Sequence, residues 1–541
     1  MLRRSGLVIL LAVASATVVA LSAPGAALAY ASPPNSKFEV IILDRMSDAT
    51  FAALGRRGAV GVMRPGFGPT TSNRSALAEL VRGAEINARI KGVPPGKPLI
   101  VPTRLSGAWT PLCRMCIVLQ LPPKTGQTTN DVLYRVAVIG QGYHGLLTSA
   151  TTRIPGLVSI VDIAPAALGG ARSVTAGLSW VPSNSSVATV DSLNAQIHGE
   201  DRLKYVGLFF AVGFAILLAL LGWSAARTAI PAALLASLAV GALHITNEVA
   251  IIAVFTVLMV GGALLLARSF RDDLALLGLI VFVLLAYVLV FAKQPALAAV
   301  TPLGPDQNLR FWGIGDQIGT LLFAPLLTGA VIARHRLGWA GFAAFALLGL
   351  FVMTDNRLGA NGGGAIGLGI ALAVLGARLS RRGMVAFVAG LTVAAAIVLK
   401  IVQHGLATPG PNHLRSAFAS GFQGFLDVAA HRVPLVYEPA IHDWPLTLPL
   451  ALILVVGVVF AFRSTRSRSG RDVLLALVVG LGASLLINDA TGFMLAAGIG
   501  CTSAVARFVP TGAPVRIRLR VPVLARLRPA VETAPADSQS G

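Results

Sequence analysis

From Val206 onward, the chain consists of consecutive apolar runs separated by short polar loops. A helix needs about 20 apolar residues to cross the hydrocarbon core of a bilayer, which is roughly 30 Å thick. Composition agrees, because 55% of the 541 residues are hydrophobic and only 12% are charged, whereas soluble domains have about 25% charged residues. The sequence therefore predicts a polytopic membrane protein.

The apolar runs predict an all-α transmembrane bundle of about 11 helices within residues 205–509. Several runs are shorter than a standard span, and the last two follow each other without a clear loop. The predicted spans are residues 206–224, 229–243, 249–267, 273–291, 316–333, 338–354, 363–378, 383–400, 447–462, 471–488 and 489–508.

Residues 1–29 have the composition of a signal peptide. Arg3 and Arg4 precede an apolar stretch from Leu7 to Leu21, and Ala27-Leu28-Ala29 fits the small-x-small pattern of a cleavage site. The alternative is an uncleaved first anchor. Both interpretations place residues 30–204 outside the cytoplasm.

The distribution of basic residues supports the same topology. Basic loops stay on the cytoplasmic side during membrane insertion. With residues 30–204 outside, the predicted cytoplasmic loops and the tail, residues 510–541, hold eighteen arginines, and the external loops hold six Lys or Arg residues. The net charge of +21 is thus accounted for by topology, and no nucleic-acid partner is expected, since that would need a basic soluble face. We predict a multi-pass plasma-membrane protein with a disordered, cytoplasmic C-terminal tail.

Residues 30–204 alternate between strand and helix patterns, without a run that could span a bilayer. Buried strands are predicted at Phe38–Leu43 and Gly58–Met63, and a helix at Ser75–Asn87. Such alternation predicts an exported α/β domain that is large enough for its own core. Further strands are predicted at residues 116–121, 134–139 and 157–160.

Polar residues of the bundle collect at the predicted external ends of the spans. Ionised side chains are costly in lipid, so such groups face a cavity, a partner or water. One hypothesis is a shared outer cavity, in which the arginines bind a phosphate or carboxylate. The alternative is a set of solvated hairpin tips and helix caps. The candidate outer-cavity residues are Glu248, Arg310, Asp316, Asp355, Arg357, Asn361, Asn488 and Asp489.

The longest external connection, residues 401–446, contains an amphipathic segment. Leu414, Phe418, Phe422 and Phe425 fall on one face at near-helical spacing, which predicts a helix lying in the outer membrane interface. It could serve as a lid over a lipid substrate or pack against the bundle. The histidines of this connection have no standard zinc spacing.

The exported domain shows only part of a metal-dependent phosphohydrolase site. Asp44 at a strand end and the hydroxyl of Thr71 suggest a metal ligand and a nucleophile. His144 is the one further candidate ligand, and no aspartate accompanies it. We therefore interpret Asp44, Thr71 and His144 as a vestigial site, and we expect neither a metal nor another cofactor.

Cys113 and Cys116 form an isolated C-x-x-C pair in the exported domain. A local disulfide is favoured over zinc binding or catalytic redox chemistry, because no second cysteine pair is present.

The stretches Lys37–Asp44, Gly58–Met63 and Arg153–Pro165 resemble domains of the alkaline-phosphatase superfamily. Over residues 37–510, the chain is similar to a group of bacterial, mainly actinobacterial, polytopic membrane proteins that carry a degenerate domain of that kind. The membrane motifs that carry this resemblance are Arg310–Gln317, Gly359–Gly364 and Asn488–Gly492. It implies an alkaline-phosphatase-like fold without an established activity.

Three functions are compatible with these patterns. The first is a cell-envelope factor whose outer cavity handles a lipid-linked or glycan substrate, with the exported domain as a binding module. The second is a transporter or flippase, for which polar residues near the middle of the membrane and internal repeats would be expected. The third is a non-catalytic scaffold. The partners expected are membrane lipids, such a substrate and other envelope proteins; whether the protein is an enzyme stays open.

The topology predicts the behaviour of reporter fusions. A reporter that is active only in the cytoplasm should be active when fused after Arg336 or Arg382, because both lie in basic loops. It should be inactive after Gln307 or His413. The reverse pattern at any two of these positions would exclude the topology.

Overall fold

The computed structural model describes residues 37–509 apart from 67–69, 84–97, 106–112, 130–131, 150, 170–176, 306–310, 356–357, 360, 381, 408–422, 424–443 and 488–491. The described chain has an α/β domain followed by a helical domain. The predicted signal peptide and C-terminal tail, and most of the predicted amphipathic segment, lie outside the described residues.

Eight of the ten described strands of the α/β domain form one mixed sheet, with strand order β10-β8-β2-β7-β5-β1-β4 and with β9 also paired to β2. Six strands run in one direction, whereas β7 and β10 run in the other. A separate two-stranded sheet contains β3 and β6. The strands are β1 (Glu39–Leu43), β2 (Ala59–Arg64), β3 (Thr70–Ser72), β4 (Thr103–Leu105), β5 (Cys116–Gln120), β6 (Gln127–Thr129), β7 (Tyr134–Ile139), β8 (Gly145–Ser149), β9 (Leu157–Ser159) and β10 (Leu178–Val181).

The strands at the centre of the sheet are apolar because helices cover both faces. Every residue of β2 is buried, for example. One face packs against α2 (Asn73–Arg82) and α3 (Ile163–Ala167). The other face packs against α1 (Asp48–Arg57) and the first part of a long helix, α4 (Ser186–Leu220). The predicted α/β class is confirmed, whereas the alkaline-phosphatase-like fold stays a prediction.

Helix α4 belongs to both domains. It runs for 35 residues, about 50 Å at 1.5 Å per residue, and its apolar second part, Leu203–Leu220, is long enough to cross a membrane. The domain boundary predicted at residue 204 therefore falls inside a continuous helix.

The direction of α4 determines which edge of the sheet faces the bundle. Val187 lies beside Gly55, near the end of α1 and the amino-terminal edge of the parallel strands. Leu193 lies beside Gly156, which is level with the middle of β2. Continuing in the same direction, α4 passes the carboxyl ends of the strands and then enters the bundle. The carboxyl edge of the sheet therefore faces the helical domain.

The helical domain contains six described helices that are long and apolar enough to cross a membrane. These helices indicate a membrane-spanning protein. The prediction of eleven crossings stays a prediction. Besides α4, the described helices of this domain are α5 (Ala226–Leu243), α6 (Glu248–Ser269), α7 (Asp273–Lys293), α8 (Ala296–Ala299), α9 (Asp316–Thr354), α10 (Gly362–Leu379), α11 (Gly383–Ala407), α12 (Trp444–Ser464), α13 (Arg468–Ile487) and α14 (Gly492–Ala506).

Helix α9 is two helices joined by a kink. Gly338 has a φ of 79°, in the left-handed region that glycine adopts without steric cost. The kink separates the predicted spans 316–333 and 338–354, so one continuous helical run accommodates two of them.

Ion pairs join the helices at the end of the bundle away from the α/β domain. Asp273 accepts from Arg336 at 2.7 Å and from Arg227 at 3.3 Å, and Arg378 donates to Asp472 at 2.9 Å. Both carboxylates are largely buried. These arginines belong to the loops that the sequence predicts to be cytoplasmic, where they also hold neighbouring helices together.

Glu200 lies on α4 just before the apolar segment and is 3% exposed. Among the described residues, its Oε2 has no hydrogen-bond partner. Burial raises the pKa of Glu200 to about 8, and the ammonium of Lys204, one turn further on, offsets only part of this shift.

The raised pKa predicts a pH-dependent effect of Glu200→Gln. The folded protein binds a proton at Glu200 more tightly than the unfolded chain, so the stability from this carboxyl is present at low pH and is lost as the pH rises. The variant should therefore gain in melting temperature relative to the wild type between about pH 5 and pH 8. The difference in free energy of unfolding between the variant and the wild type should change by at most about 1.4 kcal/mol per pH unit.

Thermal unfolding in detergent across this pH range measures the effect. Glu39→Gln, which alters an exposed carboxylate of β1, is the matched control. A constant difference between Glu200→Gln and the wild type would contradict the assignment.

Candidate functional site

The contact between the two domains is built around an aromatic pair, Phe311 and Trp312. Phe311 is buried, and its ring lies 5.3 Å from the guanidinium carbon of Arg64, the last residue of β2. Trp312 donates its Nε1–H to the carbonyl of Thr151 at 3.1 Å. The guanidinium carbon of Arg153 lies 3.7 Å from the centre of the Trp312 ring. Cation–π contacts of this kind each contribute about 0.5–2 kcal/mol, so the pair anchors the α/β domain to the bundle.

Apolar packing reinforces this contact. Ala299 and Val300, at the end of α8, are buried in the same hydrophobic cluster as Leu43 and Met46 of the α/β domain. Since Leu43 ends β1 and Arg64 ends β2, the contact lies at the carboxyl edge of the sheet. The packing therefore agrees with the direction of α4.

Directly after the aromatic pair, the chain joins the bundle through Asn361. The Nδ2 of Asn361 donates to the carbonyl of Ile314 at 3.0 Å and to Oδ1 of Asp316 at 3.5 Å. Its Oδ1 accepts from the amide of Gly364 at 2.8 Å and so caps α10. Asn361 is 2% exposed, and its amide group is used to hold the backbone together. Two of the predicted cavity residues, Asp316 and Asn361, are thus brought into contact.

Glycines make this close approach possible. Gly313 has a φ of 88°, and a Cβ at this position would lie 2.5 Å from the carbonyl oxygen of Gly359. Ile314 donates its amide to the same carbonyl at 2.8 Å. The backbones of Gly313, Ile314 and Gly359 therefore pack directly against one another.

The other predicted outer-cavity residues are placed as follows. Asp355 is half-buried and directly follows the second part of α9, three residues before the Leu358–Gly359 turn. Glu248 is half-buried at the first position of α6, next to its N-cap Asn247. Arg310, Arg357, Asn488 and Asp489 lie outside the described residues. The structure thus joins Asp316 to Asn361, and Asp355 precedes Asn361 by six residues.

The vestigial site predicted in the α/β domain is divided between the two edges of the sheet. Asp44 follows β1 at the carboxyl edge, and the buried Thr71 lies on β3, directly before α2. His144 precedes β8, whose first residue, Gly145, pairs with the first residue of β2 at the amino edge. Because β1 spans five residues, the two edges are separated by about 16 Å. His144 therefore does not reach Asp44.

A basic residue stands beside Asp44. The Nζ of Lys124 lies 3.0 Å from Oδ2 of Asp44. Arg104, on β4, donates to the side-chain oxygen of Asn73 at 2.9 Å. Together with apolar residues at the ends of β1 and β5, these four side chains line a cleft of about 240 Å³.

The other predicted features of the α/β domain are not among the residues that line this cleft. Cys113 and Cys116 are joined by a disulfide at the amino edge. Thr71 and Ser75 are hydrogen-bonded hydroxyls at the start of α2. Among the described residues, no group of three or more His, Cys, Asp or Glu side chains could hold a metal ion. The chemistry available to the cleft is therefore that of two cations, one carboxylate and one amide.

Comparison with known proteins provides no family, since no family model, curated protein or solved structure matches this chain. The function has to be inferred from the geometry.

The sequence interpretation missed Arg64, Arg153, Arg104 and Lys124, because each is an isolated basic residue between apolar or polar neighbours. Phe311 and Trp312 lie within Arg310–Gln317, a motif that drew notice for its charged residues and not for its aromatic ones. Only 6% of the residues are aromatic, so two adjacent ones in a predicted external loop were the signal for a docking contact.

The composition of the cleft predicts no metal-dependent phosphatase activity. Lys124 forms an ion pair with Asp44, and His144, the further candidate ligand, lies at the other edge. The purified full-length protein should not hydrolyse a generic phosphomonoester or phosphodiester, with or without added divalent metal. Turnover that stops on addition of a chelator and in Asp44→Asn would contradict this prediction.

Proposed function

We propose that the chain is a multi-pass plasma-membrane protein of the cell envelope that handles a lipid-linked or glycan substrate at its outer face. In this proposal, the α/β domain is exported and serves as a non-catalytic binding module. The bundle holds it at the surface of the membrane. The proposed family relationship is to the bacterial membrane proteins with a degenerate alkaline-phosphatase-like domain, whose resemblance points the same way.

One observation carries the proposal: the α/β domain is docked with the carboxyl edge of its sheet toward the bundle. Ligands of α/β domains bind outside the carboxyl ends of the parallel strands. The contacts of Arg64 with Phe311 and of Thr151 with Trp312 are at this edge. A ligand bound there would be near the membrane surface, which suits a substrate that is anchored in lipid.

The docking contact supports this function over a loosely tethered domain. A binding module on a flexible linker could sample many orientations, whereas α4 continues into the bundle without interruption. The aromatic pair then provides a second point of attachment, and two separated attachments define an orientation. The ligand-binding edge is consequently held at a constant height above the bilayer.

Deletion of the gene tests the proposal. A lipid-linked or glycan envelope intermediate should accumulate in the deletion strain, as measured by lipidomic and cell-wall analysis. The wild-type gene should restore the normal profile. Trp312→Ala should fail to restore it although the protein reaches the membrane at a near-normal level, because the substitution removes a hydrogen bond and a cation–π contact worth about 1–3 kcal/mol together.

Trp339→Ala is the matched control. Trp339 also stacks on an arginine, Arg334, at 4.4 Å, but it lies at the kink of α9, away from the α/β domain. This variant should restore the profile. A normal envelope profile in the deletion strain, or accumulation of a small soluble solute alone, would contradict the proposed function, and the second result would favour a transporter.

A further inference from the structure

The cleft beside Asp44 is not part of the docking contact. It lies at the carboxyl ends of β1 and β5, and all its lining residues belong to the α/β domain. In the sheet order, β1 is three strands away from β2, about 14 Å at the usual strand spacing. The cleft is therefore on the same edge as the docking contact but to one side of it.

The charges around the cleft are mainly positive. Arg104 and Lys124 line it, and the exposed Arg45 and Arg74 follow β1 and begin α2, respectively, at the same edge. Asp44 is the carboxylate of the lining, and the nearby Asp48 is bound to Arg135 at 2.6 Å. The described part of this edge thus presents an excess of cations toward any ligand.

The two lining cations retain donors for a ligand. Lys124 has a side chain that is 61% exposed and contacts Asp44 through an ammonium with three donors. Arg104 is exposed and uses Nη2 to donate to Asn73; a guanidinium has five N–H donors and matches the geometry of phosphate oxygens. The contact joins the guanidinium to Asn73, which also lines the cleft.

The direction of the edge identifies the source of the anion. From Ile197, which still packs in the α/β core, α4 needs six residues to reach Leu203, where its apolar segment begins. This distance is about 9 Å along the helix axis, whereas the headgroup layer on one side of a bilayer is roughly 5–8 Å thick. The carboxyl edge therefore lies just above the lipid phosphates, within reach of long Lys and Arg side chains.

We propose that Arg104 and Lys124 bind the phosphate group of an anionic phospholipid headgroup at the membrane surface. The inference rests on the proposed function, since it names the chemical class of the ligand at the same outer face. Asp44 limits the affinity by competing for Lys124, and the apolar ends of the strands exclude water from one side of the phosphate.

Hydrogen exchange of the full-length protein in nanodiscs tests the proposal. Peptides covering residues 101–105 and 118–126 should exchange more slowly in discs of phosphatidylcholine with phosphatidylglycerol than in discs of phosphatidylcholine alone. Each basic residue near an anionic surface contributes about a fivefold change in affinity, so Arg104→Ala/Lys124→Ala should weaken binding on the order of 30-fold. Protection should then be lost at every attainable fraction of anionic lipid.

Two further variants separate charge from folding. Arg104→Lys/Lys124→Arg keeps both charges and should retain most of the protection. Asp44→Asn removes the competing carboxylate and should extend protection to lower fractions of phosphatidylglycerol. Arg56→Ala/Arg114→Ala is the matched control, because it removes two exposed arginines from the amino edge and should behave as the wild type.

Three outcomes would overturn the inference. Equal protection in neutral and anionic discs would exclude a phospholipid ligand, and equal protection by inorganic phosphate in neutral discs would identify a free anion instead. Protection that persists in Arg104→Ala/Lys124→Ala would place the lipid contact elsewhere. If any of these occurs while the deletion strain still accumulates a lipid-linked or glycan intermediate, this inference fails and the proposed function stands.

Discussion

The continuity of one helix through two environments is the constraint on which the rest of the structure depends. The first part of α4 packs its apolar residues against the sheet, and its second part is apolar enough for a membrane. A helix satisfies its own backbone hydrogen bonds, so it can pass from water into lipid without an exposed polar backbone. Because the helix continues across the boundary, the sheet is held in a defined direction relative to the bundle.

A small number of contacts beside α4 fixes the orientation of the α/β domain relative to the bundle. Phe311 and Trp312 contact the α/β domain. Within the next four residues, Ile314 and Asp316 accept hydrogen bonds from Asn361 of the bundle. Some polar residues at this end of the bundle therefore have a structural role. The amide group of Asn361 is hydrogen-bonded to the backbone and to Asp316, whereas the cations at the edge of the sheet are exposed.

The sequence was sufficient to predict the features that depend on local pattern. Apolar runs and basic loops led to the membrane domain, and buried strand patterns led to β1, β2, β5, β7 and β9. The strands β3, β4, β6, β8 and β10 were missed; each has at most five residues and includes polar ones, so it lacks the long apolar run that marks β1, β2, β5 and β7. The helical nature of α1 was missed as well, because its polar composition resembles a loop.

The site depends on pairings that are distant in sequence, and these could not be predicted. Lys124 reaches Asp44 across eighty residues, and Asn361 reaches Ile314 across forty-seven. Asp44 and His144 both follow strands, which made a shared site plausible, but β7 runs antiparallel to β5 and takes His144 to the opposite edge. This one reversal of strand direction therefore separates two residues that both follow strands.

The central claim is that the carboxyl edge of the sheet faces the membrane, and the depth of two labelled positions tests it most directly. Spin labels would be placed at Lys124, on the carboxyl edge, and at Arg56, on the amino edge, in the full-length protein in nanodiscs. Relaxation by a paramagnetic metal chelated to the lipid headgroups should be strong at position 124 and weak at position 56, since the two edges differ in height by about 16 Å. Stronger relaxation at position 56, or equal relaxation at both, would contradict the account.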